Sequence, residues 1–146
     1  MLMCGTAYSG KSTYAQALAA KVDAVVVSLD EINERRGLWG GDGIPVEEWI
    51  RTHELAGAEV RALLAAGRTV IVDDTSSLRS LRDGWRSLAA GAEFLLIYLD
   101  VNHTTIRRRQ AGNRISGARG DVTDGVLEHH LADFEPPGPD ESPVRV

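Results

Sequence analysis

Eight consecutive residues, Gly5-Thr6-Ala7-Tyr8-Ser9-Gly10-Lys11-Ser12, fit the pattern G-x-x-x-x-G-K-[ST] of a phosphate-binding loop. Each residue type has a physical task there. The glycines let backbone N–H groups converge on phosphate oxygens with no Cβ in the way. A helix starting near Lys11 aims the positive end of its dipole at the same anion. Lys11 supplies a point charge for the β- and γ-phosphates of a nucleotide, and the Ser12 hydroxyl is a ligand for Mg²⁺. The competing reading is a glycine-rich turn with a solvated lysine. Against it stand the apolar run before the loop, the helical pattern after it, and a chain with only two lysines, Lys11 and Lys21. The G-x-G-x-x-G of a dinucleotide site is absent.

Three further groups could act beside such a loop. Asp30 follows the apolar run Ala24–Leu29 and can take a proton from a substrate hydroxyl as general base. It also reads as the N-cap of the next helix, a role compatible with the first. Asp73 and Asp74 close the run Val70-Ile71-Val72, where an acidic residue can serve Mg²⁺ or hold an acceptor, with Thr75 on the same edge. Strand alternation sends the two carboxylates to opposite faces, so one of them faces the site; the plainer reading is an Asp turn. The stretch 107–119 carries Arg107, Arg108, Arg109, Arg114 and Arg119. Arginines stabilise the charge spread by a transferring phosphoryl group, and a mobile segment bearing them can close over a nucleotide and exclude water. Arg109 shares a helix face with Ile106 and, with Arg114, is the candidate; Arg107 and Arg108 read as solvated. A charged helix face is the alternative.

Other residues read as bland. His53 shares a face with Trp49, Ile50 and Val60 and fits core or rim packing. Trp85 falls at helical spacing from Leu78 and Leu81, which points to the core. His129-His130 has no second ligand pair at a spacing that would hold zinc. Cys4, the single cysteine, excludes an internal disulfide and reads as a small buried hydrophobe in a reducing, cytoplasmic setting. Trp39 stands in the glycine-rich loop 37–43, where an aromatic ring could stack on an acceptor.

The elements that must position these groups alternate. Strand-like runs at Met1–Cys4, Ala24–Leu29, Thr69–Val72 and Phe94–Leu99 are separated by helical patterns. The helices are expected at Ser12–Val22, Asp30–Arg36, from Pro45 to about Ala66, Leu78–Ala90, from an Asn102 cap to about Gln110, and from a Thr123 cap to about Phe134. Residues 112–120 are polar and glycine-rich and read as mobile. The alternation predicts one α/β domain with a parallel sheet and helices on both faces. In such a sheet ligands bind beyond the carboxyl ends of the strands, where the loop, Asp30, Asp73–Thr75 and Asp100 fall.

Composition sets the outer bounds. The 146 residues suit one domain; 43% are apolar and 25% charged, the mix of an ordinary globular protein. No apolar run reaches membrane-spanning length and no leader pattern opens the chain, so no membrane partner is expected. The net charge is −5, opposite in sign to a nucleic-acid footprint over the whole molecule.

Taken together, Gly5–Thr13, Asp30, Val70–Thr75, Arg82 and Trp85, the arginines near 109 and 114, and Phe134-Glu135-Pro136 with Glu141 carry a resemblance. The chain resembles the P-loop kinases related to zeta toxins, chloramphenicol phosphotransferases and polynucleotide 5′-hydroxyl kinases, over about residues 1–142. The resemblance implies a three-layer P-loop domain of four or five parallel strands spanning 1–146, with an arginine-bearing lid at about 110–121. It implies ATP and Mg²⁺ at Gly5, Thr6, Ala7, Tyr8, Ser9, Gly10, Lys11, Ser12 and Thr13, with Arg109 and Arg114 on the triphosphate. It implies Asp30 as general base, and Asp74 and Thr75 holding acceptor or metal; Asp73 is the second metal candidate. Arg35 and Trp39 complete the expected acceptor side. One departure bears on the acceptor: polynucleotide kinases usually carry an arginine three residues after the base, and here that residue is Asn33. Such sheets usually have a fifth strand, and Pro143–Val146 reads as its beginning, so that the chain is either a truncated or a minimal version of the domain.

The expected activity is therefore transfer of the γ-phosphate of ATP to a hydroxyl of a small molecule such as a nucleoside, sugar or antibiotic. Two alternatives stand beside it: a polynucleotide 5′-hydroxyl kinase, for which a nucleic-acid partner is not favoured by the charge balance, and a protein that binds or hydrolyses ATP without an acceptor.

Overall fold

The computed structural model describes residues 1–38, 43–117 and 120–146, so Trp39 and Arg119 lie outside the described residues. In chain order the elements are β1 (Leu2–Cys4), α1 (Lys11–Val22), β2 (Ala24–Ser28), α2 (Leu29–Arg35), α3 (Val46–Ala65), β3 (Thr69–Asp73), α4 (Arg79–Leu88), β4 (Leu96–Tyr98), α5 (His103–Ser116), α6 (Asp124–Ala132) and β5 (Val144–Arg145). The five strands form one sheet in the order β2-β3-β1-β4-β5, every neighbouring pair parallel. The fifth strand read from Pro143–Val146 is present, with Val144 opposite Ile97.

The two-residue period of β3 divides the core. Val70 and Val72 pack with Ala56, Val60 and Trp85 on the α3–α4 face. Ile71 packs with Met3, Ala15 and Ala19 on the α1 face. Strands covered on both sides read as unbroken apolar runs, which is why Val70-Ile71-Val72 shows no alternation of polar and apolar residues. The same period places Asp73 on the α1 face and Asp74, one residue on, toward α3 and α4.

Two polar knots fix the periphery. Between α2 and α3, the Thr52 hydroxyl donates to Asn33 Oδ1 and accepts from Arg36 Nη1 at 2.6 Å. Arg36 also donates to the Glu48 carbonyl at 2.9 Å and pairs with the Glu48 carboxylate. Thr52 and Asn33 are 0% and 3% exposed, so each needs the partner it has. Near the C-terminus, Arg82 grips Glu141, and its Nη1 also donates to the carbonyls of Ser76 and Glu135, both at 3.0 Å. This seats the segment after α6 against α4.

Two of the boundaries that differ from the sequence reading bear on the site. β2 stops at Ser28, whose side chain caps α2 by accepting from the Glu31 N–H at 3.3 Å. Leu29 is therefore helical, and Asp30 lies in the first turn of α2 rather than at its cap. Helix α5 runs on to Ser116, through the segment read as mobile from Gly112. Gln110 faces inward and donates to the Val122 carbonyl at 2.8 Å, and the turn ends only at Gly117, left-handed with φ 61.

Candidate active site

The phosphate-binding loop joins β1 to α1 at the carboxyl edge of the sheet. Gly5 is there for close approach: a Cβ would lie 2.9 Å from Ser9 Oγ and 3.0 Å from the Leu99 carbonyl. Gly10 takes φ 98 as the N-cap of α1, a conformation that a side chain would strain. Lys11 Nζ donates to the Thr6 carbonyl at 2.9 Å, which folds the lysine back over the loop. Ser9 Oγ is buried with no hydrogen-bond partner among the described residues. A buried polar atom of this kind suits a loop built around a polar ligand.

The loop is braced from two sides. From the β3 side, the Thr75 carbonyl accepts from the Gly5 N–H at 3.2 Å. From the α5 side, Arg109 Nη1 donates to the carbonyls of Tyr8 and Ser9 at 3.0 and 2.6 Å. Ala7 and Tyr8 pack with Ile106, Val122 and Leu127, so the loop sits on α5 and α6 through apolar contact as well. The Tyr8 hydroxyl donates to Asp121 Oδ1 at 3.2 Å and accepts from the Val122 N–H at 3.1 Å. Tyr8 holds a positive φ of 60, a local strain that these contacts sustain.

Asp73 is buried on the α1 face, within electrostatic reach of Lys11 and Asp30. Burial pushes its carboxyl above the usual range, against the opposing pull of the Ser12 hydroxyl and the Lys11 charge. Asp74 lies on the other face. Ser76 Oγ and Trp85 Nε1 donate to its Oδ2 at 2.9 and 3.2 Å, and His53 Nε2 stands 3.5 Å from the same oxygen. Burial would raise the Asp74 carboxyl, yet these three groups hold it below the ordinary carboxylate value. His53 Nδ1 lies 3.0 Å from the Trp49 carbonyl. Both ring nitrogens thus face oxygen acceptors, which only an imidazolium satisfies together. Burial opposes that charge, and Asp74 outweighs it, so the His53 pKa is raised. The Cys4 thiol is pushed up to about 12 by burial and stays protonated and inert.

Lys11, Ser12, Asp30 and Asp73 are therefore brought together at one edge, with Asp74 and Thr75 adjoining. Arg109 reaches the loop. Arg114 is instead held by Asp121 and Asp124 at 3.1 and 2.9 Å. Arg35 turns to Glu59 on α3, 3.4 Å away. Asn33, at the position where an arginine would mark polynucleotide kinases, is spent on Thr52. Sequence reasoning passed over His53, whose apolar helix neighbours concealed a partner contributed by a different element, and the Tyr8 hydroxyl, an x position of the loop pattern. A cleft of about 350 Å³ opens beside Thr6, walled by Tyr98, Asp100, Leu131 and Phe134.

A parallel sheet in this order, with the phosphate-binding loop between its central strand and the first helix, defines a P-loop kinase-like domain. Residues 1–137 match the family described as AAA domain, and the chain belongs to that family. Among curated proteins no sequence matches. Among solved structures, a sugar kinase from a Janibacter species superposes with a TM-score of 0.74 at 23% identity, over 99% of this chain and 82% of that one. A gluconokinase from Sinorhizobium meliloti gives 0.69 at 20%, over 99% and 79%. A chain of the Pnkp1/Rnl/Hen1 RNA repair complex gives 0.74 at 25%, over 90% of this chain but 42% of that one. Among the described residues no helix is long and apolar enough to cross a membrane.

Proposed function

We propose that this domain transfers the γ-phosphate of ATP to a hydroxyl of a small molecule of the nucleoside, sugar or antibiotic type. The observation that carries the reading is the meeting of Asp30, Asp73, Lys11 and Ser12 at one sheet edge: an acceptor-side carboxylate beside a loop built for phosphates. Lys11, folded over the loop, is placed to swing onto the β- and γ-phosphates. The cleft beside Thr6 is large enough to take the nucleoside part. Asp30 takes the proton from the acceptor hydroxyl. The acceptor oxygen then forms its bond to the γ-phosphorus as the bond to the β–γ bridging oxygen breaks, and ADP leaves with that electron pair.

The donor set fits Mg²⁺. The Ser12 hydroxyl and the Asp73 carboxylate are hard oxygen donors, and this ion takes few protein ligands alongside phosphates and water. No cluster of three or more His, Cys, Asp or Glu able to hold a metal occurs among the described residues, so a protein cage is not what the site offers. When bound, Mg²⁺ neutralises phosphate charge. Arg109 bridges the carbonyls of Tyr8 and Ser9, so that α5 carries a cation to the rim of the loop.

The test is ADP formation with and without a panel of hydroxyl compounds, with the phosphorylated product identified by mass spectrometry. Stimulation and a phosphomonoester product from a small molecule support the proposal. ADP formation indifferent to every compound sinks it in favour of an ATP-binding protein without an acceptor, and transfer confined to oligonucleotides sinks it in favour of a polynucleotide kinase.

A further inference from the structure

On the acceptor side, cations and carboxylates stand in pairs. From residue 30 to residue 53 the sequence holds cations only at Arg35, Arg36, Arg51 and His53. Arg35 faces Glu59, Arg36 pairs with Glu48, and Arg51 pairs with Glu54 at 2.9 Å. After β3, Arg79 binds Asp140 at 2.7 Å and Arg82 is locked on Glu141. His53 faces Asp74: its Nε2 is shielded from solvent, lies 3.5 Å from Asp74 Oδ2 and makes no closer hydrogen bond among the described residues. Each of these cations thus faces a carboxylate, and at the point of reaction Asp30 and Asp73 stand beside Lys11, the cation whose task is the nucleotide phosphates. An anionic acceptor would enter against that field with no counter-charge set aside for it.

Asp74 supplies the complementary feature. Its side chain is 9% exposed, and all three groups that hold it converge on Oδ2. None of the described residues donates to Oδ1. A buried carboxylate pinned through one oxygen presents the other, in fixed orientation, as an acceptor for an incoming O–H.

We infer that the acceptor is a neutral polyhydroxylated molecule, one of whose non-reacting hydroxyls donates to Asp74 Oδ1, and that His53 is the residue that positions Asp74 for it. The inference rests on the phosphotransfer reading and narrows its substrate class. His53 touches neither nucleotide nor acceptor; it acts by keeping the Asp74 carboxylate aimed, from α3.

Matched pairs of probes test it on the native chain: D-glucose against D-gluconate, and adenosine against 3′-AMP, each with ATP. The expected result is transfer to at least one neutral member with kcat/KM about tenfold or more above that of its anionic partner, the scale of one unfavourable charge contact. An anionic member used as well as or better than its neutral partner overturns the inference and leaves phosphotransfer standing. No transfer to any of the four overturns the inference, and the phosphotransfer reading falls with it only if ADP formation is also indifferent to every compound of the wider panel. With the neutral acceptor so found, His53→Ala is expected to raise its KM about tenfold while the KM for ATP is unmoved, and His53→Gln, whose amide can still donate to Asp74, to recover part of the loss. An acceptor KM unchanged in both variants, or a parallel rise in the KM for ATP, overturns the role of His53.

Discussion

The guanidinium of Arg82 lies edge-on to the carboxylate of Glu141, with Nε to Oε2 at 2.6 Å and Nη2 to Oε1 at 2.9 Å. Both side chains are almost wholly buried, and the pair joins residues 59 positions apart in sequence. Arg82 also reaches the carbonyls of Ser76 and Glu135. A single guanidinium thereby ties α4, the turn after β3 and the segment that leads into β5.

Removing one partner of that pair leaves a buried charge without its counterpart. Arg82→Met is expected to destabilise the fold by about 3–5 kcal/mol, whereas the double variant Arg82→Met with Glu141→Leu should cost less than Arg82→Met alone. Urea unfolding of the two variants beside the native chain measures this. Equal midpoints for the single variant and the native chain would show that the pair is idle.

The same contact sets a pH dependence. Arg82 holds the Glu141 carboxyl below its ordinary value of 4.5. A folded-state pKa below the unfolded one favours the native state above the unfolded value, and that contribution drains away as pH falls through the folded value. Stability should therefore decline below about pH 4.5, and the decline should be shallower in Glu141→Gln, which has no proton to take up. Thermal melts from pH 3 to pH 6 read both slopes.

Lys11→Ala and Asp30→Asn separate binding from transfer. Lys11→Ala is expected to lower turnover about a hundredfold or more through lost charge stabilisation. Asp30→Asn should keep ATP affinity within about twofold and lose roughly 10²–10⁴-fold in transfer, the usual contribution of a general base. Calorimetric ATP titration alongside a transfer assay distinguishes the two, and near-native transfer by Asp30→Asn would remove the base assignment.

Arg109→Lys asks whether the brace on the loop needs a fork. A guanidinium nitrogen meets two carbonyls here, and a lysine ammonium on a flexible stem holds such a geometry less well. The expected result is a several-fold weaker affinity for ATP, partly retained relative to Arg109→Ala. Identical affinities in the two variants would show that charge alone does nothing here and that the guanidinium contacts carry the whole effect, whereas native affinity in Arg109→Lys would show that charge suffices.

Cys4 offers a check on the core. With its thiol pushed up to about 12 and its side chain buried, it should resist iodoacetamide at pH 8.5 in the native protein and react promptly in urea. Intact-mass measurement over time reports the difference.

The sheet and its loop were legible in the sequence because their signals are local. Val70-Ile71-Val72 announces a strand covered on both sides, and Gly5–Ser12 announces its own conformation. Even the division between Asp73 and Asp74 follows from a period of two. What was hidden depends on which elements become neighbours. Ser28 displaced Asp30 as the cap because a serine hydroxyl reaches the Glu31 N–H from the last position of the strand. His53 looked like packing because its partner, Asp74, comes from 21 positions along the chain. Arg114, read as a triphosphate ligand, meets Asp121 and Asp124 in the structure, partners that no local pattern announces. Asn33 marked a departure from one kind of acceptor, but its hydrogen bond to Thr52 needed the α2–α3 pairing to be seen.

That pairing has a consequence for how such a domain diversifies. Asn33, Thr52, Arg36 and Glu48 satisfy one another within α2 and α3, and none of them is bonded to the phosphate-binding loop or its braces. That polar knot is closed on itself, although α2 and α3 also enter the core through Leu29, Ile32, Ala56 and Val60. Its four residues can change together without disturbing the phosphate-binding loop, which is knit separately through Thr75 and Arg109.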